Sequence, residues 1–156
     1  MSIFVLDSDP RQSAIYHADS HVVKMLLESV QILCTVRHLW GNAKPHFYKP
    51  THTKHPCVKW VETEPGAYSW LWDLASALAE EYSFRFHGRK HKSAALLPDL
   101  KMPKSCYPWR FVQALPQEFM NQKSAISAYR RYYNEGKRHL HKWTRREVPY
   151  FIGRID

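Results

Sequence analysis

The stretch YHADSHVVKMLLESVQIL, residues 16–33, limits the possible folds more than any other part of the chain. His21, Lys24, Glu28 and Gln31 recur at spacings of 3, 4 and 3, so on a helix they share a sector of roughly 80°. Val22, Val23, Met25, Leu26, Leu27, Val30, Ile32 and Leu33 occupy almost everything else. A surface helix carries a polar face about as wide as its apolar one. A polar line this narrow predicts a central helix, in protein contact on most sides, with the line facing a cleft. A Lys24/Glu28 pair at i,i+4 is also an ordinary surface arrangement worth tenths of a kcal/mol, so the pattern alone leaves both readings open.

The flanking punctuation predicts a mainly α fold: a single compact helical domain of about five to seven helices with Pro-rich loops. Asp9-Pro10 reads as an N-cap followed by proline at the first helical position, opening a short helix through Ala18. Asp19 is expected to cap the next helix, from about Ser20 to Trp40, with Gly41 beyond its end. His55-Pro56 opens a further helix, PCVKWVE. Pro65-Gly66 precedes a long amphipathic helix running to about Phe86, with Tyr68, Leu71, Ala75, Leu78 and Tyr82 as its buried stripe. HKSAALL is expected to be a short helix stopped by Pro98. Residues 98–118 are expected to form an ordered loop, followed by a helix from an Asn121 cap through Asn134. Gly136 would interrupt that helix and KRHLHKW would resume it. SIFVL is β-like but isolated. The whole chain, 1–156, reads as one domain, with a helical core over 1–97 and a Pro-rich loop plus basic–aromatic helices over 98–156.

Composition narrows the function classes. The net charge is +9 at pH 7, which favours polyanionic partners. From Phe119 onward nine Lys/Arg (Lys123, Arg130, Arg131, Lys137, Arg138, Lys142, Arg145, Arg146 and Arg154) stand against three acids, interleaved with Tyr129, Tyr132, Tyr133, Trp143, Tyr150 and Phe151. Cations hold phosphates while aromatic faces stack on exposed bases or wedge into a duplex. The same pattern also suits a basic helix whose aromatics face the core. Cys34, Cys57 and Cys106 share no paired spacing, which points to free thiols and a cytoplasmic protein, in the host cytoplasm if phage-encoded. No apolar run reaches the roughly 20 residues of a membrane span, and the start lacks a signal-peptide pattern. Membrane partners are not expected.

Ten histidines are many for this length. His17 and His21, His52 and His55, and His87 and His91 are possible ligand pairs, but no set matches a metal signature such as HExxH. Neither a metal nor a cofactor is expected. Asp7 and Asp9 are adequately explained as turn and cap residues.

The motifs DSHVVKMLLESVQIL, KHPCVKW, EEYSFRFHG and HKSAALL, in that order, resemble a phage and bacterial family related to the pyrimidine-dimer DNA glycosylase (endonuclease V-like), a small all-α enzyme. The family pattern Asp–x4–Lys–x3–Glu–x2–Gln falls on Asp19, Lys24, Glu28 and Gln31. Its Asn-His-Pro-x-Val segment falls on His55, Pro56 and Val58, with Lys54 where Asn is usual. Its His-Arg-Ser-x-Leu-Leu segment falls on His91, Lys92, Ser93 and Leu96. The similarity covers about residues 1–97; the tail from 98 onward does not share it.

What the resemblance implies is a DNA glycosylase/AP lyase acting on a damaged or modified base. Glu28 would take the place of the catalytic glutamate. The nucleophile would be the amine at the mature N-terminus, here Ser2 once Met1 is removed, or Lys24 if that amine does not reach the site. The present chain is about five residues longer ahead of the matching helix. His17, Asp19, His21, Gln31, His55, His91 and Lys92 would shape the pocket. Lys123, Arg130, Arg131, Lys137, Arg138, Lys142, Arg145 and Arg146 would grip double-stranded DNA. The competing readings are a non-catalytic nucleic-acid-binding phage protein and a DNA base-modifying transferase on the same scaffold.

Overall fold

In the computed structural model, which describes residues 2–153, the chain begins with an extended segment, Ile3–Leu6, that is almost entirely buried although no strand pairs with it among the described residues. The Ser13 hydroxyl ties it down, donating to the Phe4 carbonyl (3.3 Å) and accepting from the Leu6 N–H (3.1 Å). The β-like run is thus a core-filling thread within an all-α domain.

Six α-helices follow among the described residues: α1 (Pro10–Tyr16), α2 (Asp19–Leu39), α3 (Pro56–Thr63), α4 (Ala67–Arg85), α5 (Leu97–Leu100) and α6 (Ala125–Gly136). Single 3₁₀ turns lie at Lys92–Leu96, Gln117–Phe119 and Arg138–Leu140. The caps explain the starts. Asp9 accepts from the Gln12 N–H at 3.2 Å, with Pro10 next, as expected. The His55 ring accepts from the Cys57 N–H at 3.1 Å, with Pro56 next. In α2 the cap position is Ala18 and not Asp19, which is the first helical residue.

α2 packs chiefly on α4, and α1 also lies against α4. Val22, Leu26, Val30 and Leu33 of α2 are wholly buried, each contributing about 1.5–3 kcal/mol of apolar burial. Tyr68, Leu71, Ala75 and Leu78 of α4 are buried as the periodicity predicts, while Tyr82 is half-buried. One contiguous core extends from Ile3 to Trp143 and joins the two halves of the chain.

A second, polar centre locks the C-terminal segment onto this bundle. Arg85 is 1% exposed and donates to the carbonyls of His17 (2.6 Å) and Ile15 (2.8 Å) and to the carboxylates of Asp19 (3.2 Å) and Glu81 (2.8 Å). Glu81 also receives Arg146 at 2.6 and 3.2 Å. Asp19 receives both the N–H and the hydroxyl of Thr144, at 2.9 and 2.5 Å. Burial by itself would raise the Glu81 pKa, but hydrogen bonds from Arg146 and Arg85 outweigh it and hold the carboxyl below its usual range.

Three expectations are corrected. Pro98 does not stop a helix: proline is tolerated in a first helical turn, and it stands there in α5 after a 3₁₀ turn. The cap of α6 is Ser124, accepting from the Ser127 N–H at 3.1 Å, while Asn121 closes a turn just before it. KRHLHKW does not resume a helix; beyond one 3₁₀ turn its path follows tertiary bonds, including the Lys142 carbonyl accepting from the Asp19 N–H at 2.8 Å.

Residues 101–116 carry no regular structure yet are firmly held. Ser105 donates to Ser69 (3.1 Å), the Tyr107 hydroxyl to Asp73, the Trp60 indole to the Arg110 carbonyl (2.8 Å), and the Tyr129 hydroxyl to the Val112 carbonyl (2.7 Å). Gly66 makes this path possible: it has φ 81°, and a Cβ there would lie 1.8 Å from the Cys106 carbonyl oxygen.

Candidate active site

Glu28 lies on α2 and is half-buried. Its Oε2 accepts a hydrogen bond from the Ser2 main-chain nitrogen at 2.9 Å, across 26 residues of sequence. The contact is built by the buried thread. Phe4 is 5% exposed, and its ring centroid lies 4.7 Å from that of His21, with Tyr129, Tyr132 and Tyr133 at 5.9, 6.1 and 5.6 Å. With Phe4 seated, the two preceding residues run along α2 to Glu28.

Around this contact the predicted residues fall into two groups. His55, the α3 cap, is near enough for the Glu28 charge to act on it; burial lowers its pKa and Glu28 opposes that shift. Beneath it Cys57 is wholly buried, and burial pushes its thiol up to about 12, so it is no nucleophile at neutral pH. Lys24, one turn before Glu28, is exposed and makes no ion pair or hydrogen bond among the described residues. The alternative reading of Lys24 and Glu28 as an i,i+4 surface ion pair is therefore not borne out. Gln31 is half-buried, with its amide likewise unengaged among the described residues. Ser2, Glu28, Lys24, Gln31 and His55 form one face.

The second group does not join that face as open pocket residues. Asp19 is roughly 180° around α2 from Glu28 and belongs to the Arg85 centre. His17 is fully buried, its Nδ1 2.6 Å from the Ser13 carbonyl oxygen. Burial lowers its pKa to about 4, so it is neutral and sealed. His21 is 3% exposed, with Nδ1 3.0 Å from the Tyr133 hydroxyl; burial, then His17, Lys137, Lys24 and His139, lower it to about 3. It is a wall of the core with cations at its rim. His91 caps the 3₁₀ turn by accepting from the Ser93 N–H at 3.1 Å and presents its ring edge-on to Tyr82 at 5.1 Å. Lys92 is exposed and lines an open cavity of about 840 Å³ with Glu80, Ser83 and Lys90.

The open strip of α2 is also less polar than the sequence suggests. Val23 and Leu27 are 39% and 37% exposed, so Lys24, Glu28 and Gln31 are flanked by apolar surface. The cavities described at other places in the structure are lined by other residues. Among the described residues no three His, Cys, Asp or Glu side chains converge as metal ligands.

The basic tail divides similarly. Arg130 donates to the Leu6 carbonyl, Asp7 and Tyr150, and packs over Tyr16, Tyr150 and Phe151. Arg145 and Arg146 lie over Phe84 at 4.3 and 4.2 Å, and Arg146 clamps Glu81. Arg138 donates to the Asn134 carbonyl. Arg131 bonds Glu135 and the Glu118 carbonyl, and Lys137 stands 5.2 Å over the Tyr132 ring. Lys123 and Lys142 are exposed without side-chain partners among the described residues. Arg154 lies outside the described residues. Arg130 and Arg146 thus serve the fold first.

Two features were not anticipated from the sequence. One is the Arg85 centre, whose partners are 4 to 70 residues away. The other is Trp109, 99% exposed on the 101–116 loop, where a lone aromatic between Pro108 and Arg110 carries no periodicity. Comparison with known protein families, curated proteins and solved structures finds no significant match for this chain.

Proposed function

We propose that this protein is a DNA-acting enzyme of the glycosylase/AP lyase kind, with Glu28 as its acid/base carboxylate and the amine of Ser2, exposed by removal of Met1, as its nucleophile. One observation carries the reading: the Ser2 nitrogen lies 2.9 Å from Glu28 Oε2. With Met1 in place that atom is an amide nitrogen; removal of Met1 makes the same atom a free α-amine beside the carboxylate. An α-amine loses its proton near pH 8 and a lysine side chain only above pH 10, so at neutral pH the former supplies more nucleophile.

The chemistry follows from that placement. The neutral amine attacks C1′ of the target nucleotide, forming a new C–N bond as the glycosidic C–N bond breaks and the base leaves with that bond's electron pair. Glu28 stabilises the developing positive charge on the sugar, accepts the proton lost by the attacking amine and passes it to the departing base. The amine lone pair then expels O4′, which takes a proton from solvent, to give an iminium; Glu28 removes a C2′ proton and the C3′–O bond breaks, the phosphate leaving with the electron pair. Lys24, Lys123 and Lys142 are exposed cations without a side-chain partner among the described residues, available to meet phosphates, and the target base must leave the stack.

The test compares wild type with Glu28→Gln on duplex DNA carrying an abasic or damaged site. The variant is expected to bind DNA with unchanged affinity and to lose strand cleavage by at least about 100-fold, the scale of general acid/base catalysis. Equal cleavage by both proteins refutes the assignment of Glu28. DNA binding without cleavage by wild type leaves a non-catalytic binding protein.

A further inference from the structure

We infer that Trp109 is a stacking platform for an unpaired nucleobase, at a binding site separate from the Glu28 face. A tryptophan exposed over 99% of its surface is unusual, since large aromatic side chains are mostly covered. A floppy loop would make it unremarkable in function, but this loop is pinned on both sides of the residue. Pro108 before it is buried, the carbonyl of Arg110 after it accepts from the Trp60 indole at 2.8 Å, and Phe111 sits 5.8 and 5.1 Å from the rings of Trp60 and Trp70. The indole is held outward by a rigid support, and pre-ordering of this kind lowers the entropic cost of binding.

The surroundings select the ligand. An open cavity of about 650 Å³ adjoins the indole, lined in part by Arg110, Phe111, Gln122 and Lys123, with no carboxylate lining it among the described residues. Arg110 and Lys123 are exposed cations that suit a phosphate. The Gln122 amide is unengaged among the described residues, whereas Gln113 is committed to the Asn121 main chain at 2.6 and 2.9 Å. A bare π-face, two cations and one amide match a nucleotide: base on indole, phosphate on cations. A lipid surface fits less well, because interfacial binding takes several protruding apolar side chains and this patch offers one.

This platform assumes the same DNA substrate as the Glu28 proposal. Trp60 lies five residues along α3 from His55, about 7.5 Å of helix rise. A strand of about five to ten nucleotides, at about 3.4 Å per step, is long enough to reach both sites.

The experiment uses the full chain and measures its affinity for a duplex with a single-nucleotide bulge, for the fully paired duplex, and for phosphatidylserine/phosphatidylcholine vesicles. Trp109→Ala removes an exposed side chain, so folding should be retained. It is expected to weaken binding to the bulged duplex about 10-fold, within the range for one base–aromatic stack, and to affect the paired duplex less. Trp109→Phe should restore most of the loss, and Lys123→Ala should reduce the log–log salt slope by about one. Equal binding of the bulged duplex by wild type and Trp109→Ala overturns the inference. So does a Trp109 emission shift on vesicles but not on DNA. If wild type cleaves DNA while Trp109→Ala keeps full affinity, only this inference fails; if wild type binds none of the DNAs, the Glu28 reading fails with it.

Discussion

Two glutamates on the two long helices occupy opposite situations. Glu81 on α4 is 5% exposed and clamped by two guanidinium groups, one of them itself buried. Glu28 on α2 keeps part of its surface open, and the described donor that reaches it is a main-chain nitrogen two residues into the chain. The first carboxylate ties the C-terminal segment to α4 and, through Arg85, to the α1–α2 junction, and has no room for a substrate. The second sits where the thread meets α2, close enough to the start of α3 for its charge to act on His55. A charged residue on an apolar helix can therefore be sealed into a structural tie or left open at the surface, and its partners decide which.

The comparison breaks most severely at Arg85. Arg85→Ala removes the buried guanidinium that Glu81 and Asp19 share and leaves the His17 and Ile15 carbonyls without this donor, and should cost about 3–5 kcal/mol, as removal of one member of a buried pair typically does; thermal or urea unfolding reads this directly. A loss below about 1 kcal/mol would mean that the centre is spectator chemistry.

Acid tests the same distinction. The folded state holds His17 neutral, with its pKa lowered to about 4 from 6.5. The unfolded chain therefore takes up a proton that the folded chain refuses as pH falls below 6.5. Stability present above that pH is lost progressively toward pH 4, by an amount on the order of 3 kcal/mol for this group. His21 acts in the same direction, and Glu81, held low, adds to the loss at still lower pH, as it becomes protonated. His17→Gln should flatten the pH 4–6.5 part of the curve; an unchanged slope contradicts the assignment.

Effects at the α2 face should be smaller in stability and larger in activity. Glu28→Gln is expected to unfold within about 1 kcal/mol of wild type, since the side chain is half-exposed and a glutamine amide oxygen can still accept from the Ser2 N–H. Loss of folding on this change would place Glu28 in the same class as Glu81. The smallest effect sharpens the contrast from next door. The Ser29 hydroxyl is buried with no hydrogen-bond partner among the described residues, so Ser29→Ala should be neutral or stabilise by up to about 1 kcal/mol, measured by the same unfolding curves.

Much of the helical frame was legible because it rests on local chemistry. Asp9-Pro10, His55-Pro56 and Pro65-Gly66 mark helix starts through caps and fixed φ, and the period of α4 names its buried stripe. What failed was long-range. The sequence places Asp19 and Glu28 on opposite sides of one helix, but it does not say that Arg85 waits on one side and the start of the chain on the other. The run KRHLHKW has helical composition, yet Asp19, 123 residues before Lys142, takes that segment's carbonyl and its Thr144 donors instead. Likewise Arg130 and Arg146 read as phosphate ligands until the carboxylates and aromatic rings they cover are seen.

Borohydride trapping on abasic-site DNA, followed by peptide mapping of the protein lacking Met1, tests the central claim most directly. The account predicts a reduced covalent adduct on the α-amine of Ser2, absent when that amine is acetylated. An adduct on Lys24, or no adduct with DNA that the protein demonstrably binds, would contradict it.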